Sequence, residues 1–478
     1  MTGLLAASFL AAAQAAAPAP QDALVRAIDR VVERPVFASA LWGIEVRSLR
    51  TGRVLYARNA EKNLRPASTL KLVVSAAALD AFGADARWRT TVETAGRLDG
   101  HGRLLGDVYL VGRGDPALSS RFTPGRPAAA FEEMADALRA AGVQRIEGRV
   151  VGHEGAFSGE RRGSDWGWED LVWWYGAEVS ALSFNENAVD LRLLPGERPG
   201  DPAVLEASPL TAYCSVVSTV TTTAAGVKAE LKLERDLGTS RIRLSGTLPV
   251  GGSWEGRPAL EDPARYATTV FAEVLERRGI RVTGSVATTS DPLPAGTRVL
   301  AAHDSPPLAE LVKVANKESQ NLYTEILLRL VGQKLRGEGS VVAGHDVVRE
   351  FLKRVGVAAE SWGLQDGSGL SRTDVVDAHG LAELLVAMDR HPQASAFRDS
   401  LPVMGVDGTL EDRMRGSPVE GRVLAKTGTL RLGNALAGYA TPVSGERVAF
   451  AVIVNNHTVP SREAVAAIDE IVRALVSR

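Results

Sequence analysis

The chain has 478 residues, of which 45% are hydrophobic and 23% charged, so it is long enough for two or three domains with sizeable cores. Its 55 Lys plus Arg against 57 Asp plus Glu give a net charge of −2, and this balance gives no reason to expect nucleic-acid or polybasic membrane binding. The single cysteine, Cys214, excludes an intrachain disulfide.

The chain opens with an apolar run at residues 4–11, followed by small residues through Ala17 and then Pro18-Ala19-Pro20. This pattern is typical of a secretory signal peptide, although no basic residue precedes the run. We predict that residues 1–20 are a signal peptide and that the protein is exported, to a periplasmic or other extracytoplasmic location. The alternative is an Ala-rich tail without a role. No later stretch predicts a transmembrane anchor.

The two ends of the chain predict parts of one α/β layer. Helical spacing at residues 22–33 precedes two strands, 41–49 and 53–58. The C-terminal end predicts three strands and a closing amphipathic helix, at 423–429, 435–440, 448–455 and 464–476. Together these elements indicate a sheet flanked by the first and last helices.

The stretch 72–318 is longer than one connection between helices needs, and this length implies an insertion. We predict strands and one helix in its first part, at 107–111, 131–141 (the helix), 145–151 and 189–194. Residues 227–233 and 240–248 alternate like an exposed β-ribbon around a turn at 235–238.

The first chemical motif is Ser68-Thr69-Leu70-Lys71, at the start of an apolar run that predicts a buried helix. Residues three apart lie on one helix face, so Lys71 could serve as the base that a serine nucleophile needs. Lys71 can do so only when neutral, which requires burial or nearby positive charge to lower its pKa. Taken alone, the motif is better explained by Ser68 as a helix cap and Lys71 as a solvated side chain.

The second motif is Ser319-Gln320-Asn321, between helical runs at 308–314 and 322–330. In such a loop a hydroxyl can relay a proton to a leaving amine, and a carboxamide can both donate to and accept from a peptide. Helix capping alone would also explain Ser319 and Asn321.

The third motif, Lys426-Thr427-Gly428-Thr429, falls on the first C-terminal strand. Gly428 would let a ligand backbone approach, and Lys426 with the hydroxyls of Thr427 and Thr429 suits a terminal carboxylate. The backbone N–H groups of Thr429 and Ser68 could form an oxyanion hole. The alternative is that Lys-Thr-Gly marks only a turn.

In this order the three motifs resemble those of the penicillin-binding protein and serine β-lactamase superfamily. Further segments resemble, more specifically, the D-Ala-D-Ala carboxypeptidase family of the penicillin-binding protein 4 type, peptidase family S13. The segments that carry this resemblance are 106–116, 166–171, 316–322, 325–329, 366–372, 407–410, 426–430 and 435–439. The likeness runs over nearly the whole chain after the signal region.

The resemblance implies an α/β (α+β) fold, in which a β-lactamase/transpeptidase-like domain with an antiparallel sheet flanked by helices carries two inserted, mostly β domains. The catalytic domain would comprise residues 21–95 and 292–478. Inserted domain II would comprise 96–200 and 250–291, and inserted domain III 201–249.

The resemblance also implies roles. Ser68 would be acylated, Lys71 would be the base, Ser319 would shuttle a proton and Asn321 would hold the substrate amide. The third motif would bind the terminal carboxylate through Lys426, Thr427, Gly428 and Thr429. Relatives often have Asp where this chain has Gln320, and we expect that difference to cost little. In some relatives an acidic residue of the insert lines a pocket for a diamino acid, and the comparable stretch here is 152–157.

The implied function is a serine D-Ala-D-Ala carboxypeptidase/endopeptidase that acts on peptidoglycan stem peptides and crosslinks, with β-lactam antibiotics as covalent inhibitors and no cofactor. The seven histidines are scattered, so no metal site is predicted. One alternative is a β-lactamase or esterase on the same fold, and the large insert favours the peptidase. Another is a non-catalytic cell-wall-binding protein, against which the intact motifs argue. The sequence gives no prediction of the oligomeric state.

Overall fold

The computed structural model describes residues 20–478, so the predicted signal peptide lies, except for Pro20, outside the described residues. The α-helices of this part are α1 (Pro20–Val32), α2 (Lys71–Phe82), α3 (Ala129–Ala140), α4 (Pro263–Arg277), α5 (Leu308–Lys317), α6 (Asn321–Arg336), α7 (Val341–Arg354), α8 (Ala378–Asp389), α9 (Ala394–Asp399) and α10 (Ser461–Val476). Among these helices, all within residues 20–478, none has the length and apolar character needed to cross a bilayer.

The strands of the same part are β1 (Leu41–Ser48), β2 (Val54–Arg58), β3 (Arg89–Thr94), β4 (Arg97–Leu98), β5 (Arg103–Leu105), β6 (Val108–Val111), β7 (Arg145–Glu147), β8 (Val150–His153), β9 (Asp190–Leu194), β10 (Val204–Ser208), β11 (Ser215–Ser218), β12 (Thr221–Thr223), β13 (Glu230–Arg235), β14 (Arg241–Pro249), β15 (Trp254–Gly256), β16 (Arg281–Val282), β17 (Val286–Thr289), β18 (Arg298–Asp304), β19 (Val423–Leu430), β20 (Gly433–Ala440) and β21 (Val448–Asn455).

Strands from both ends of the chain form one antiparallel five-stranded sheet in the order β19-β20-β21-β1-β2. Every residue of β20 and β21 is buried. Both faces of these strands are covered, and therefore the apolar sequence of β21 shows no alternation with polar residues. The sheet predicted from the two chain ends is confirmed, and β19 lies at its edge.

Helices cover both faces of this sheet. One face packs against α1 and α10 through residues such as Ile28, Phe450 and Ile468. The other face packs against α2 and α8, with α5, α6 and α7 in the same core. Because neighbours surround α2, its sequence is apolar on every side. The turn before α2, which carries Ser68, lies beside β19 and β20.

The residues between the first and second motifs build most of the other sheets. Two mixed sheets, β17-β8-β6-β3-β18 and β16-β7-β5-β4, share a core with α3 and α4. An antiparallel sheet, β10-β9-β15, and a mixed sheet around β14 complete this part. The predicted ribbon is present as the β13–β14 pair, but β11 and β12 also pair with β14. It is therefore part of a four-stranded sheet and not a free ribbon.

Three local predictions were wrong. The strand predicted at 145–151 is two strands, β7 and β8, in different sheets. Gly148 separates them at a chain crossing, where an added Cβ would lie 2.2 Å from the Gly106 carbonyl oxygen. Ser68 lies in a 3₁₀ turn, Ala67–Leu70, and not in the α-helix, which begins at Lys71. Asn321 is the first residue of α6 and not a loop residue.

Candidate active site

Ser68 and Lys71 meet across a tight turn. The 3₁₀ turn that carries Ser68 runs directly into α2, so the two side chains project to the same side. The Ser68 Oγ lies 2.9 Å from the Lys71 Nζ. Ser68 is partly exposed, whereas Lys71 is fully buried. The hydroxyl is thus open to a substrate while the amine beside it is shielded from water.

The Lys71 amine has two further partners, the Asn321 Oδ1 at 2.6 Å and the Ser368 carbonyl oxygen at 2.7 Å. Both of these oxygens can only accept hydrogen bonds. A neutral amine has two N–H groups and one lone pair. If the N–H groups donate to Asn321 and Ser368, the lone pair is left facing the Ser68 hydroxyl. The geometry therefore suits Lys71 as a proton acceptor.

Burial sets the charge of both motif lysines. It lowers the pKa of Lys71 to about 7, against the opposite effect of the carboxyl groups of Asp366, Glu325 and Asp374. Lys426 is also fully buried, and burial together with the charge of Lys71 lowers its pKa well below the usual range. A proton on one amine therefore disfavours a proton on the other.

The second motif brings its hydroxyl and its carboxamide to these two lysines. Ser319 precedes α6 in a left-handed backbone conformation, with φ 57°. Its Oγ accepts a hydrogen bond from the Lys426 Nζ at 2.9 Å. The Asn321 Oδ1 accepts from Lys71, and its Nδ2 donates to the Tyr175 carbonyl oxygen at 2.7 Å. The residues predicted from the first two motifs therefore lie in one cluster.

The third motif lies along the edge strand β19. The Thr427 Oγ1 bonds to the Thr409 Oγ1 at 2.8 Å, and Thr429 is exposed. A Cβ at Gly428 would lie 2.6 Å from the Pro66 carbonyl oxygen. Glycine at this position thus lets β19 pack against the segment just before Ser68, a reason that the sequence did not suggest.

A loop behind Lys71, residues 366–372, supplies the Ser368 carbonyl and was given no role by the sequence. The Asp366 carboxylate organises this loop. One of its oxygens accepts from the Ser368 and Gly369 backbone N–H groups, and the other accepts from the Ser371 N–H and the Trp166 indole N–H. The segment contributed to the family resemblance, but that resemblance did not say what it contacts.

Replacing Asp374 with Asn should stabilise the fold near neutral pH. Burial and the neighbouring Asp366 raise the pKa of Asp374 to about 10. The unfolded chain releases this proton near its ordinary pKa of about 4, so stability falls with pH between about 4 and 10. Asn imitates the protonated form and removes this dependence. The Asn variant should exceed wild type in free energy of unfolding by a few kcal/mol at about pH 7, and the difference at about pH 4 should be near zero.

Chemical unfolding of wild type and Asp374→Asn at both pH values measures this difference. Asp366→Asn is the matched control, and it should be destabilised because an amide nitrogen would face N–H donors that the carboxylate now satisfies. If Asp374→Asn is less stable than wild type at neutral pH, Asp374 does not hold its proton in the folded state.

A cleft of about 490 Å³ opens in front of Ser68. Its walls are formed by all three motifs, the insert and the 366–372 loop, through Ser68, Glu169, Asp170, Trp174, Tyr175, Glu318, Ser319, Asn321, Leu370, Arg372, Thr429, Leu430 and Arg431. The stretch 152–157, which is comparable to the segment that carries an acidic residue in some relatives, does not line the cleft. Glu154 instead pairs with Arg161 and accepts from the Ser180 hydroxyl. The acidic residues of the insert at the cleft are Glu169 and Asp170.

A partly exposed hydroxyl beside a buried amine, with a second hydroxyl–amine pair and an edge strand nearby, provides the groups that an active-serine hydrolase needs. Comparison with known proteins gives the family. The chain belongs to the D-Ala-D-Ala carboxypeptidase 3 (S13) family, whose model matches residues 24–475. It is 35% identical over 451 residues to the D-alanyl-D-alanine carboxypeptidase of Actinomadura sp. (strain R39), covering 92% of this chain and 82% of that protein.

Solved structures show the same fold. The crystal structure of penicillin binding protein 4 (dacB) from Haemophilus influenzae matches with a TM-score of 0.81 at 24% identity, covering 94% of this chain and 98% of that one. The same protein complexed with a novel β-lactam matches with a TM-score of 0.75 at 23% identity over the same fractions. The predicted fold class and the predicted family are thereby confirmed.

Proposed function

We propose that this protein is a serine D-Ala-D-Ala carboxypeptidase/endopeptidase that cleaves peptidoglycan stem peptides and crosslinks through an acyl-enzyme on Ser68. The observation that carries this proposal is the position of the Lys71 amine. Its two N–H groups have acceptors that leave its lone pair to the Ser68 hydroxyl. Membership of a D-Ala-D-Ala carboxypeptidase family supports the choice of substrate.

In the first half-reaction, the Lys71 Nζ takes the Ser68 proton as the Oγ bonds to the carbonyl carbon of the penultimate D-Ala. The backbone N–H groups of Ser68 and Thr429 would hold the oxyanion. The C–N bond then breaks, and the proton that Lys71 accepted would pass through the Ser319 hydroxyl to the leaving amine, which returns Lys71 to its neutral form. Lys426 would hold the Ser319 hydroxyl in place for this relay. Water hydrolyses the resulting ester with Lys71 again as the base.

Substrate binding is assigned to β19 and the cleft walls. The first residues of β19 pair on their outer side with the 402–404 segment, and the edge beyond Ala425 would pair with an extended peptide. Lys426, Thr427 and Thr429 would hold the terminal carboxylate, with Gly428 keeping this strand close to Ser68. The opposite wall carries Glu169, Asp170 and Arg372, charges of both signs that suit a side chain ending in an ammonium and a carboxylate. Asn321 would contact the substrate amide through its remaining N–H.

The same chemistry extends to β-lactams, whose strained amide would acylate Ser68 and leave no separate amine to depart. The β-lactam complex of the Haemophilus influenzae protein supports this assignment. We also propose export to an extracytoplasmic compartment, where peptidoglycan is found, with residues 1–20 as the signal peptide. The chain would then divide as predicted, into a catalytic domain (21–95 and 292–478), domain II (96–200 and 250–291) and domain III (201–249).

Product analysis of purified peptidoglycan fragments tests the proposal. The wild-type enzyme should release D-Ala from pentapeptides and convert crosslinked dimers to monomers, both detected by liquid chromatography and mass spectrometry. Enzyme pretreated with penicillin is the control, and it should leave both fragments intact. Fragments that bind but remain uncleaved would contradict a peptidase. Rapid turnover of the penicillin would instead identify a β-lactamase.

A further inference from the structure

The middle residue of the second motif, Gln320, is fully buried and is bonded at both ends of its side chain. Its Oε1 accepts from the Leu322 backbone N–H at 3.2 Å and so caps α6. Its Nε2 donates to the Glu186 Oε2 at 2.6 Å. Glu186 belongs to the insert, 134 residues away in sequence. The insert therefore contacts the loop between Ser319 and Asn321 directly.

Glu186 is itself held firmly. It is 1% exposed, and two arginines bind its carboxylate: Arg121 at 2.5 Å and 3.1 Å, and Arg257 at 2.7 Å. The Tyr323 hydroxyl donates to it at 3.3 Å. Burial alone raises a carboxyl pKa, but the hydrogen bonds and charges of Arg121 and Arg257 bring the pKa of Glu186 down to about 2. Gln320 therefore faces a fixed carboxylate.

The backbone around Glu186 is also unusual. The three consecutive residues 185–187 have φ values of 46°, 55° and 57°. Asn185 and Asn187 are of a residue type that tolerates the left-handed conformation, but for Glu186 it is costly and persists only where the surroundings enforce it. Ser319, with φ 57°, adopts the same conformation on the other side of the contact. Two strained segments, one from the insert and one from the second motif, thus meet through the Glu186–Gln320 bond.

A second contact reaches the motif independently. The Tyr175 carbonyl, also from the insert, accepts from the Asn321 Nδ2 at 2.7 Å. This bond fixes which end of the carboxamide faces Lys71, because the opposite end, the Oδ1, lies 2.6 Å from the Lys71 Nζ. Insert groups thus touch both residues that follow Ser319.

We propose that Glu186 and the Tyr175 carbonyl are positioning groups that hold Ser319 and Asn321 in their reactive orientation, so that acylation of Ser68 depends on the insert. This inference rests on the proposed function. It predicts that Gln320 affects the rate of acylation, whereas the family resemblance predicts that having Gln at this position, where relatives often have Asp, changes the activity little.

A bond-reversal experiment tests the inference with labelled penicillin as the probe. Gln320→Glu keeps the cap on α6 but places a second carboxylate against Glu186, and it should slow acylation at least about ten-fold. The double variant Glu186→Gln with Gln320→Glu rebuilds the bond with donor and acceptor exchanged. It should recover part of the acylation rate that Gln320→Glu loses, because the like-charge contact is gone, while the new amide nitrogen still faces the Arg257 donor. Glu186→Gln alone completes the double-mutant cycle. Its acylation rate should fall less than that of Gln320→Glu.

Gln333→Glu is the matched control. Gln333 lies on the same helix and also donates to an insert carbonyl, that of Ala156 at 3.1 Å, but it does not touch the second motif. The acylation rate of the Gln333→Glu variant should equal that of wild type. Rates are measured well below the Tm of each variant, because a purely structural role would lower the Tm and leave the acylation rate unchanged. If Gln320→Glu does not fold, Gln320→Leu carries the test, with an expected loss of several-fold.

The outcomes separate the inference from the proposed function. If wild type forms no adduct with penicillin, the proposed function fails, and the inference fails with it. If wild type is acylated and Gln320→Glu or Gln320→Leu reacts at the same rate, only the positioning inference fails. Equal losses in Gln320→Glu and in the double variant would also overturn it, because the reversed bond would then have no effect.

Discussion

Replacing Ser68 with Ala is expected to abolish covalent labelling by penicillin and to lower D-Ala release by at least about a thousand-fold. The acyl-enzyme is an ester of the side-chain oxygen at this position. A water molecule that attacked the substrate in its place would leave no ester attached to the protein. Ser68 is partly exposed at the cleft, so loss of its hydroxyl removes little packing. The fold, and with it the Tm, should therefore remain close to that of wild type.

Gel fluorescence with labelled penicillin and a D-Ala release assay measure both effects. Ser75→Ala provides a matched control, since Ser75 is a buried serine of α2, one turn beyond Lys71, and does not line the cleft. This control should be labelled like wild type. Labelled Ser68→Ala protein would show that the nucleophile is elsewhere.

The second large effect concerns Lys71. Its neutral form is the one with a lone pair for the Ser68 proton, and its pKa is lowered to about 7. Activity should therefore be low in weak acid, rise as pH passes through about 7, and level off once Lys71 has lost its proton. Lys71→Met keeps the length of the side chain in a buried site but has no amine. The acylation rate of this variant should fall by at least about a thousand-fold, and its residual activity should no longer rise with pH near neutrality.

The dependence of kcat/KM on pH for both proteins checks this prediction. Lys313→Met serves as the control, because Lys313 is a lysine of α5 that pairs with Glu310 and lies outside the cleft. Its profile should match that of wild type. A wild-type profile that is flat from weak acid to alkali, or a Lys71→Met variant with an unchanged profile, would remove Lys71 from the role of base.

The central sheet and its flanking helices were predictable because their sequence patterns are strong. The apolar sequence of β21 and the amphipathic spacing of α1 and α10 follow directly from how many faces each element buries. The separation of β7 from β8 was not predictable, because Gly148 stands where two chain segments cross, and the crossing partner is distant in sequence.

The grouping of the motif residues in one candidate site was also predictable, because short-range spacing and order along the chain carry that signal. Their supporting groups were not. The carbonyl oxygens of Ser368 and Tyr175, which hold Lys71 and Asn321, have no side-chain signature in a sequence. Glu186 has a side chain, but its contact with Gln320 depends on how the insert folds back onto α6.

Peptide mapping tests whether Ser68 is the residue that becomes acylated. Wild-type protein labelled with penicillin would be digested, and the modified residue located by tandem mass spectrometry. We predict one adduct, on the Oγ of Ser68. An adduct on any other residue, or none after prolonged exposure of folded protein, would show that Ser68 is not the nucleophile.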